Sequence, residues 1–536
     1  MISEHELSHP SDSAGMAQSS LDVSDRPRRG RHRLPSPRPK GWSTVVATIS
    51  TMMMTLDITI VLVALPAIAE DLHLTLSGGQ WVLNAYSLAF ASLLLSVGSI
   101  SDVIGRRTIF LLGHLIFLGA SIACVLAGTQ EALIISRAIQ GAGGALVFGT
   151  SIPLLSDAFR PDEKEQRTRA IAALMGGAAA ASALGPLIGG FLVDVGAWEW
   201  IFIINIPIGL FVIVATAVKI PDLYRENEVS GASELPPLDI PSTLIAAGML
   251  FGLNYGIIAG ADAGWTDPLV LTAFAATIVL LGALVWIQMS KGDRAMIDLR
   301  LFSIPSFSTV AFAAFAARMF SFGMMPYLVL WLSGHVELSA LEIGYVSTAM
   351  AVPIVLFSAV ALKLGTLMRL GLVQALGMVI VAAGLMLGLM LTPDSGWPAL
   401  LPMYMVVGAG TGIMLPHLMD LAVSVVPGSR TGTASGIANT ALPLGTSFGV
   451  AAYGAYLSHV VQGKLDGAPQ QVLDAAEAGQ FGLIEQFAPM FAQPALESFV
   501  DGLHGIFVIA AVLALLGAVA CAMFIREGGQ KRQPAE

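Results

Sequence analysis

The sequence predicts an all-α membrane protein with fourteen membrane-spanning helices. Of its 536 residues, 55% are hydrophobic and only 12% are charged, whereas soluble domains carry about a quarter charged residues. Fourteen separate runs are apolar and close to the length of about 20 residues that crosses the hydrocarbon of a bilayer. Lysine and arginine also collect on one side of the resulting topology, as the positive-inside rule requires.

The fourteen runs follow one another along the chain with mostly short connections. They lie near residues 44–66, 80–100, 108–128, 132–156, 168–192, 201–220, 240–260, 268–289, 307–331, 341–362, 370–391, 398–422, 432–457 and 503–525. If the N-terminus is cytoplasmic, Arg137 and Arg318 lie within spans, Lys464 alone falls outside, and all other lysines and arginines face the cytoplasm. One missed helix would disrupt this segregation, so we predict an even count with both termini cytoplasmic.

Three segments lie outside the spans. Residues 1–41 are polar and arginine-rich, which predicts a disordered cytoplasmic arm that sets orientation rather than binding nucleic acid. Residues 527–536 form a cytoplasmic tail. Residues 458–502 form a long acidic external loop, predicted as a short amphipathic hairpin with either a passive or a gating role.

A charged motif joins the second and third predicted spans. It reads Gly98-Ser-Ile-Ser-Asp102-Val-Ile-Gly105-Arg106-Arg107. Gly98 permits close approach of two helices and Gly105 permits a tight turn. Asp102 is placed to cap a neighbouring helix or to pair with Arg106, which would form a latch on the cytoplasmic side. The alternative is that the arginines only set the orientation.

Four further blocks lie on predicted spans, and they combine small residues with a few polar ones. They are Leu56-Asp57-Ile-Thr59-Ile-Val61-Leu62-Val-Ala64-Leu65-Pro66, Arg137-Ala-Ile-Gln140-Gly141-Ala-Gly143-Gly-Ala145, Gly185-Pro186-Leu-Ile-Gly189-Gly190, and Trp198-Glu-Trp200-Ile-Phe202-Ile-Ile-Asn205-Ile-Pro207-Ile-Gly209. With the loop motif, they resemble the fourteen-span drug:proton antiporter family of the major facilitator superfamily. Leu62 and Glu199 depart from the usual pattern.

The resemblance implies a domain organisation around a central cavity. Residues 42–222 would form an N-terminal six-helix bundle and 301–526 a C-terminal one. Residues 223–300 would hold two inserted helices with their flanking loops. Transport would then proceed by rocking of the two bundles about a site at the middle of the membrane.

Two charged residues lie inside the predicted spans of the N-terminal half. A carboxylate at the position of Asp57 costs about 2.5–3.5 kcal/mol to hold in the membrane, which favours a functional, proton-exchanging role over a purely structural hydrogen bond. Arg137 stays charged and shares a helix face with Gln140. The resemblance assigns Arg137 to coupling proton movement to conformational change, and a structural clamp is the alternative.

The remaining candidate residues are less specific. The glycine-proline motif Gly185, Pro186, Gly189 and Gly190 is expected to kink the fifth span, either to bar leakage or as static packing. Secondary candidates in the second half are Arg318, His417 and Asp420. His114 is interpreted as a helix-packing histidine, and Cys124 and Cys521 as packing residues.

These features predict a proton-coupled multidrug exporter of the bacterial cytoplasmic membrane, acting as a monomer on lipophilic small molecules. A dedicated exporter of one metabolite is the alternative. The sequence contains no GxxxxGK[ST] phosphate-binding motif, which argues against ATP-driven transport, and we expect no enzyme activity, cofactor or metal. Some members of the resembled family that export dications carry acidic residues in the middle of the second-half helices. The tenth span here carries none, so the resemblance implies that monocations or neutral amphiphiles fit better than dications.

Overall fold

The computed structural model describes residues 39–160, 162–221, 239–292, 295, 298–426 and 431–525, and every regular element among them is helical. The first six long helices are α1 (Lys40–Asp71), α2 (Leu76–Ile104), α3 (Arg106–Val125), α4 (Gln130–Asp157), α5 (Lys164–Val195) and α6 (Trp200–Lys219). Two more, α7 (Ile240–Ala263) and α8 (Pro268–Lys291), correspond to the predicted inserted pair.

The second half begins with a 3-10 turn, Leu299–Ser303, before α9 (Pro305–Gly334). A π-helical turn, Met319–Gly323, interrupts α9. The other helices are α10 (Ala340–Leu367), α11 (Leu370–Leu387), α12 (Leu401–Ser424), α13 (Thr431–Lys464), α14 (Gln470–Glu477), α15 (Phe481–Phe487) and α16 (Pro489–Phe524).

The long helices match the fourteen predicted spans one for one, which confirms the all-α membrane fold. Among the described residues, twelve helices are long and apolar enough to cross a membrane. The remaining two, α2 and α13, are 29 and 34 residues long and occupy the predicted second and thirteenth spans. Helix α1 begins at Lys40, so the first two residues of this helix lie within the predicted arm, residues 1–41. Residues 1–38, 222–238 and 526–536 lie outside the described residues.

Residues 458–502 are more helical than the predicted hairpin. Helix α13 continues to Lys464, two short helices follow, and α16 already begins at Pro489, before the predicted start of the last span near 503. Glu497 and Asp501 interrupt the apolar run before 503, yet both residues lie within the same helix, α16. Glu477 of α14 is buried and accepts hydrogen bonds from Ser458 (2.8 Å) and Gln462 (3.0 Å) of α13, which fixes the short helices to that span.

The inserted pair packs beside both halves of the protein. On the α2 side, the rings of Trp81 and Phe251 lie 5.3 Å apart. On the α13 side, the Ser447 hydroxyl donates to Asn254 Oδ1 at 3.1 Å, and both side chains are buried. Helix α7 therefore bridges α2 and α13, while α8 packs mainly on α7.

We call the membrane face at which α1 begins the N-terminal face and the other the opposite face. Near the opposite face, α5 and α10 touch through their backbones. A Cβ added at Gly190 would lie 2.2 Å from the Ala340 carbonyl oxygen, and one at Gly344 would lie 2.6 Å from that of Pro186. Glycine is thus what lets the two halves approach this closely.

A second seam near the same face joins α2 to α9 and α13. Gly454 lies against the side chains of Gln80 and Tyr327, and the Tyr327 hydroxyl donates to the Val450 carbonyl. Beyond both seams lies a cavity of about 460 Å³ whose lining includes Glu70 and Asp194. The two halves are therefore closed against each other below this cavity.

Candidate functional site

The strongest polar cluster inside the spans surrounds Asp57, which is only 1% exposed. Its Oδ2 accepts from Arg137 Nη1 at 2.7 Å. Its Oδ1 accepts from Gln140 Nε2 and from Asn205 Nδ2, both at 2.9 Å. The three residues predicted from the sequence are thus in contact, and α6 contributes a fourth.

Arg137 is equally buried, and its charge is balanced from several directions. Besides Asp57, its Nη1 donates to Gln140 Oε1 at 2.5 Å. Its guanidinium carbon lies 4.5 Å from the ring centre of Tyr86 and 5.7 Å from that of Phe202. Aromatic faces attract a desolvated cation, so Arg137 keeps favourable contacts that do not depend on the charge of Asp57.

The glycines of the α4 block explain how these side chains reach Asp57. A Cβ at Gly141 would lie 2.2 Å from the Tyr86 carbonyl oxygen of α2, and one at Gly143 would lie 2.7 Å from the Phe117 nitrogen of α3. Helix α4 therefore packs directly on two neighbouring backbones. Arg137 and Gln140, three residues apart, lie on the same side of α4 and meet α1.

This arrangement can change its charge by one proton. Protonation of Asp57 would remove its ion pair with Arg137, while Gln140 and the aromatic rings would still hold the guanidinium. Breaking a fully buried pair by removing one partner typically costs about 3–5 kcal/mol, and the remaining contacts of Arg137 reduce that cost. Since both charged residues are about 1% exposed, a bulky substrate does not reach them in this conformation.

Four residues of the site were not predicted. Asn205 and Phe202 belong to the Trp198–Gly209 block, so that motif is the sequence signal that could have identified them. Ser121 of α3, which accepts from Gln140 Nε2 at 2.9 Å, and Tyr86 of α2 lie on spans without a motif. Nothing in the local sequence distinguishes them from ordinary packing residues.

The loop motif forms contacts within the N-terminal half. Gly105 has φ +102°, which confirms the predicted tight turn. Arg106 pairs with Asp157 at the end of α4 at 2.6 Å, and Arg107 donates to the Ala217 carbonyl of α6 at 2.9 Å.

Two parts of the predicted latch have other outcomes. The side chain of Asp102 lies outside the described residues, so its predicted pairing is untested. The close helix contact predicted at Gly98 is wrong for this conformation, because a Cβ there would meet no atom within 4 Å. Gly98 lies near the N-terminal face, away from the seams at the opposite face.

The glycine-proline motif of α5 faces two partners. A Cβ at Gly185 would lie 1.9 Å from the Thr59 hydroxyl oxygen, and one at Gly189 would lie 3.1 Å from the Ile60 backbone, both on α1. Gly190 faces α10, as described above, and Pro186 lies within the helix. The motif therefore connects the helix that carries Asp57 to the seam between the two halves.

The secondary candidates form no common site with Asp57. Arg318 as a residue is half-buried, and its guanidinium carbon lies 4.4 Å from the ring centre of Phe322, just before the π turn. His417 is buried, with Nε2 2.8 Å from the Ala361 carbonyl oxygen. Asp420 is exposed. Within the described residues, no group of three or more His, Cys, Asp or Glu side chains could hold a metal ion.

A further ion pair lies at the N-terminal face, where Lys40 contacts Glu163 at 2.5 Å. The backbone N–H of Arg160 and the ammonium of Lys40 hold the pKa of Glu163 below its usual value. This half-buried ion pair connects the start of α1 to the start of α5 as long as the pH stays above the lowered pKa of Glu163.

A family profile described as Major Facilitator Superfamily matches residues 47–450. The chain is 29% identical over 521 residues to the tetracenomycin C resistance and export protein of Streptomyces glaucescens, covering 93% of this chain and 94% of that one. It is 31% identical to the methylenomycin A resistance protein of Bacillus subtilis (76% and 86% covered). It is 26% identical to the multidrug efflux pump LfrA of Mycolicibacterium smegmatis (91% and 97% covered).

Solved structures share the fold at low sequence identity. A bacterial homologue of the lysosomal transporter Spinster aligns with a TM-score of 0.62 at 16% identity, covering 92% of this chain and 98% of the other. A D-xylose-proton symporter aligns with a TM-score of 0.59 at 14% identity, covering 91% and 98%.

Proposed function

The chain belongs to the major facilitator superfamily, and on that premise we propose that it is a proton-coupled exporter of lipophilic small molecules in the bacterial cytoplasmic membrane. The observation that carries the proposal is the buried Asp57–Arg137 pair, at 2.7 Å, on membrane-spanning helices. A titratable charge is expensive there and marks a functional site. The resistance and export proteins named above supply the direction of transport.

Asp57 is the proton-binding group in this scheme, and Arg137 is the partner that responds to its charge. Deprotonation restores the ion pair and holds α1 against α4. Protonation of Asp57 breaks the ion pair. The hydrogen bond from Arg137 to Gln140 and its contact with the Tyr86 ring then reduce the free-energy cost of leaving the buried guanidinium without its carboxylate. The proton therefore alters how two helices pack and need not compete directly with substrate for one carboxylate.

The α5 motif offers a path from that packing change to the gate. Thr59 and Ile60 follow Asp57 by two and three residues on α1 and lie against Gly185 and Gly189. The next residue of the motif, Gly190, touches α10 across the seam. A shift of α1 would thus move α5 against α10, and rigid-body rocking follows from such contacts.

The N-terminal face is the cytoplasmic one in this proposal. Lysine and arginine concentrate there by the positive-inside rule, and the seams then close the outer side, which makes the described conformation inward-facing. Substrates are lipophilic compounds, with monocations favoured. The acid of α10, Glu342, caps the helix by accepting from the Ser339 N–H at 2.9 Å and is not near its middle.

A dedicated exporter of one antibiotic or metabolite is the second candidate. It is favoured by two of the relatives, whose names each refer to resistance to a single compound, tetracenomycin C or methylenomycin A. The multidrug efflux pump among the relatives favours the broader range. Both candidates use the same proton site.

The test is ethidium efflux from vesicles under an imposed pH gradient, comparing wild type, Asp57→Asn and Asp267→Asn. Asp267 is the control, because it is a carboxylate that caps α8 outside the spans and asparagine caps equally well. Gradient-driven efflux that only Asp57→Asn abolishes supports the proposal. Efflux that survives in Asp57→Asn overturns the assignment of the proton site, and wild type that moves no lipophilic cation favours the dedicated exporter.

A further inference from the structure

A second polar layer lies in the N-terminal half, below the Asp57 site. His114 of α3 is completely buried, with its ring 4.4 Å from that of Phe110. Its Nε2 lies 2.9 Å from the Ser50 hydroxyl oxygen of α1. Ser50 precedes Asp57 by seven residues, two helical turns or about 10 Å along the axis.

The same spacing recurs on α3. His114 precedes Ser121 by seven residues, and Ser121 accepts from the Gln140 amide, which also donates to Asp57. Two layers are therefore stacked between α1 and α3, and His114 with Ser50 forms the layer nearer the N-terminal face.

The hydrogen bonds of this layer depend on how many protons it holds. The Phe110 carbonyl oxygen lies 2.8 Å from His114 Nδ1 and only accepts, so Nδ1 carries a hydrogen. The Ser50 hydroxyl also lies 2.7 Å from the Val46 carbonyl oxygen, another pure acceptor. A hydroxyl has one hydrogen, so it can donate to Val46 or to Nε2, but not to both.

Two arrangements satisfy these distances. In the neutral form, Ser50 donates to Nε2 and leaves the Val46 carbonyl. In the imidazolium form, Nε2–H donates to Ser50, and Ser50 donates to Val46, so all three close contacts become hydrogen bonds. The forms differ by one proton taken from water into a new N–H bond at Nε2, and by a rotation of the Ser50 hydroxyl hydrogen.

From this geometry we infer that His114 is a second proton-binding site, read out by Ser50 on the helix that carries Asp57. The two hydrogen-bond partners of the imidazole, the Ser50 hydroxyl and the Phe110 carbonyl, are both uncharged. Charges in the neighbouring layer are therefore expected to influence whether His114 binds a proton. The charged and titratable groups of the surrounding helices are Lys40, Asp57, Glu70 and Asp71 of α1, Tyr86 and Asp102 of α2, Glu131, Arg137 and Asp157 of α4, Lys219 of α6, and Arg106, Arg107 and Cys124 of α3 itself.

The consequence for transport rests on the proposed proton coupling, whereas the protonation itself does not. Under the proposed orientation, His114 lies on the cytoplasmic side of Asp57. Ser50 stays hydrogen-bonded to His114 in both forms, but only in the imidazolium form does it also donate to the Val46 carbonyl of its own helix, so the charge state of His114 changes the hydrogen bonding of α1 beneath Asp57. His114 is thus a positioning residue whose loss changes the dependence of efflux on cytoplasmic pH.

The protonation is tested directly by solid-state NMR of the full chain, labelled with ¹⁵N-histidine in lipid vesicles, between pH 3 and pH 8. The difference from His114→Gln assigns its signals. We expect a bare Nε2 at high pH that becomes protonated at low pH, and a shifted midpoint in Ser50→Ala. An Nε2 signal that does not change with pH overturns the inference, and a midpoint unchanged in Ser50→Ala overturns the role of Ser50.

The transport role is tested by efflux at a constant pH gradient while cytoplasmic pH is varied. We expect His114→Gln to flatten the pH profile with efflux retained, and His504→Gln, a half-buried histidine bonded to the Leu391 carbonyl, to keep the wild-type profile. A wild-type profile in His114→Gln overturns the positioning role. Loss of gradient dependence in the wild type itself would instead refute the proposed function and leave the NMR result standing.

Discussion

Substitution of Gly190 by alanine tests whether the seam between α5 and α10 sets the conformation. The new Cβ would lie 2.2 Å from the Ala340 carbonyl oxygen and 2.7 Å from the Leu341 Cα, both backbone atoms. Ordinary contacts begin at 3.4 Å, so the helices must separate by about 1 Å, and overpacking of this kind costs about 1–3 kcal/mol. Since about 1.4 kcal/mol is tenfold in an equilibrium constant, the closed-seam population should fall roughly 5- to 150-fold relative to open forms.

The assay is maleimide labelling of Ala69→Cys, a buried position that lines the cavity beyond the seam. Labelling from the opposite face should become several-fold faster when Gly190→Ala is added. Gly176→Ala on the same helix is the matched control, because a Cβ there meets nothing within 4 Å. Equal labelling rates in the two variants would refute the argument that the glycine contact holds the seam closed.

Two further predictions concern stability. Gly141→Ala should lower the thermal stability of the protein in detergent, because its Cβ would lie 2.2 Å from the Tyr86 carbonyl oxygen. Gly119→Ala is the control, since a Cβ there meets no atom within 4 Å, and it should be neutral or slightly stabilising. Equal melting temperatures of the two variants would contradict this prediction. Burial opposes the charge of Asp239, but hydrogen bonds from Lys291 and the backbone at the start of α7 leave its pKa below the usual value. The stabilisation by ionised Asp239 is therefore present above about pH 4 and is lost as the pH falls through the lowered pKa. Asp239→Asn should cost about 0.5–1 kcal/mol of stability at neutral pH, and its melting temperature should depend less on pH in the acid range than that of the wild type. Melting curves of the two proteins that shift in parallel with pH would refute this prediction.

The membrane fold was predictable because its signals are local. A bilayer requires apolar runs of a given length, and the segregation of lysine and arginine checks their number. The positions and the number of the spans can therefore be predicted without knowing how the helices pack. The start of α16 was missed for the same reason, since hydropathy marks where a helix meets lipid and not where its hydrogen bonding begins.

The Asp57 site was half predictable. Asp57, Arg137 and Gln140 stood out because charge inside a span is costly, and Asn205 lay in a block already noted. The role of Tyr86 and Ser121 depended on which faces of α2 and α3 turn towards α4, which helix packing decides.

The sequence by itself therefore determined the helices, their number and the buried charges, since each follows from transfer into lipid. Only the tertiary structure decided which face of α5 meets α10, that Gly98 contacts no neighbour while Gly190 does, and that His114 lies two turns below Asp57 in register with Ser50. These features depend on the rotation and depth of helices relative to one another. In lipid, those are set by close packing and interhelical hydrogen bonds rather than by hydrophobicity.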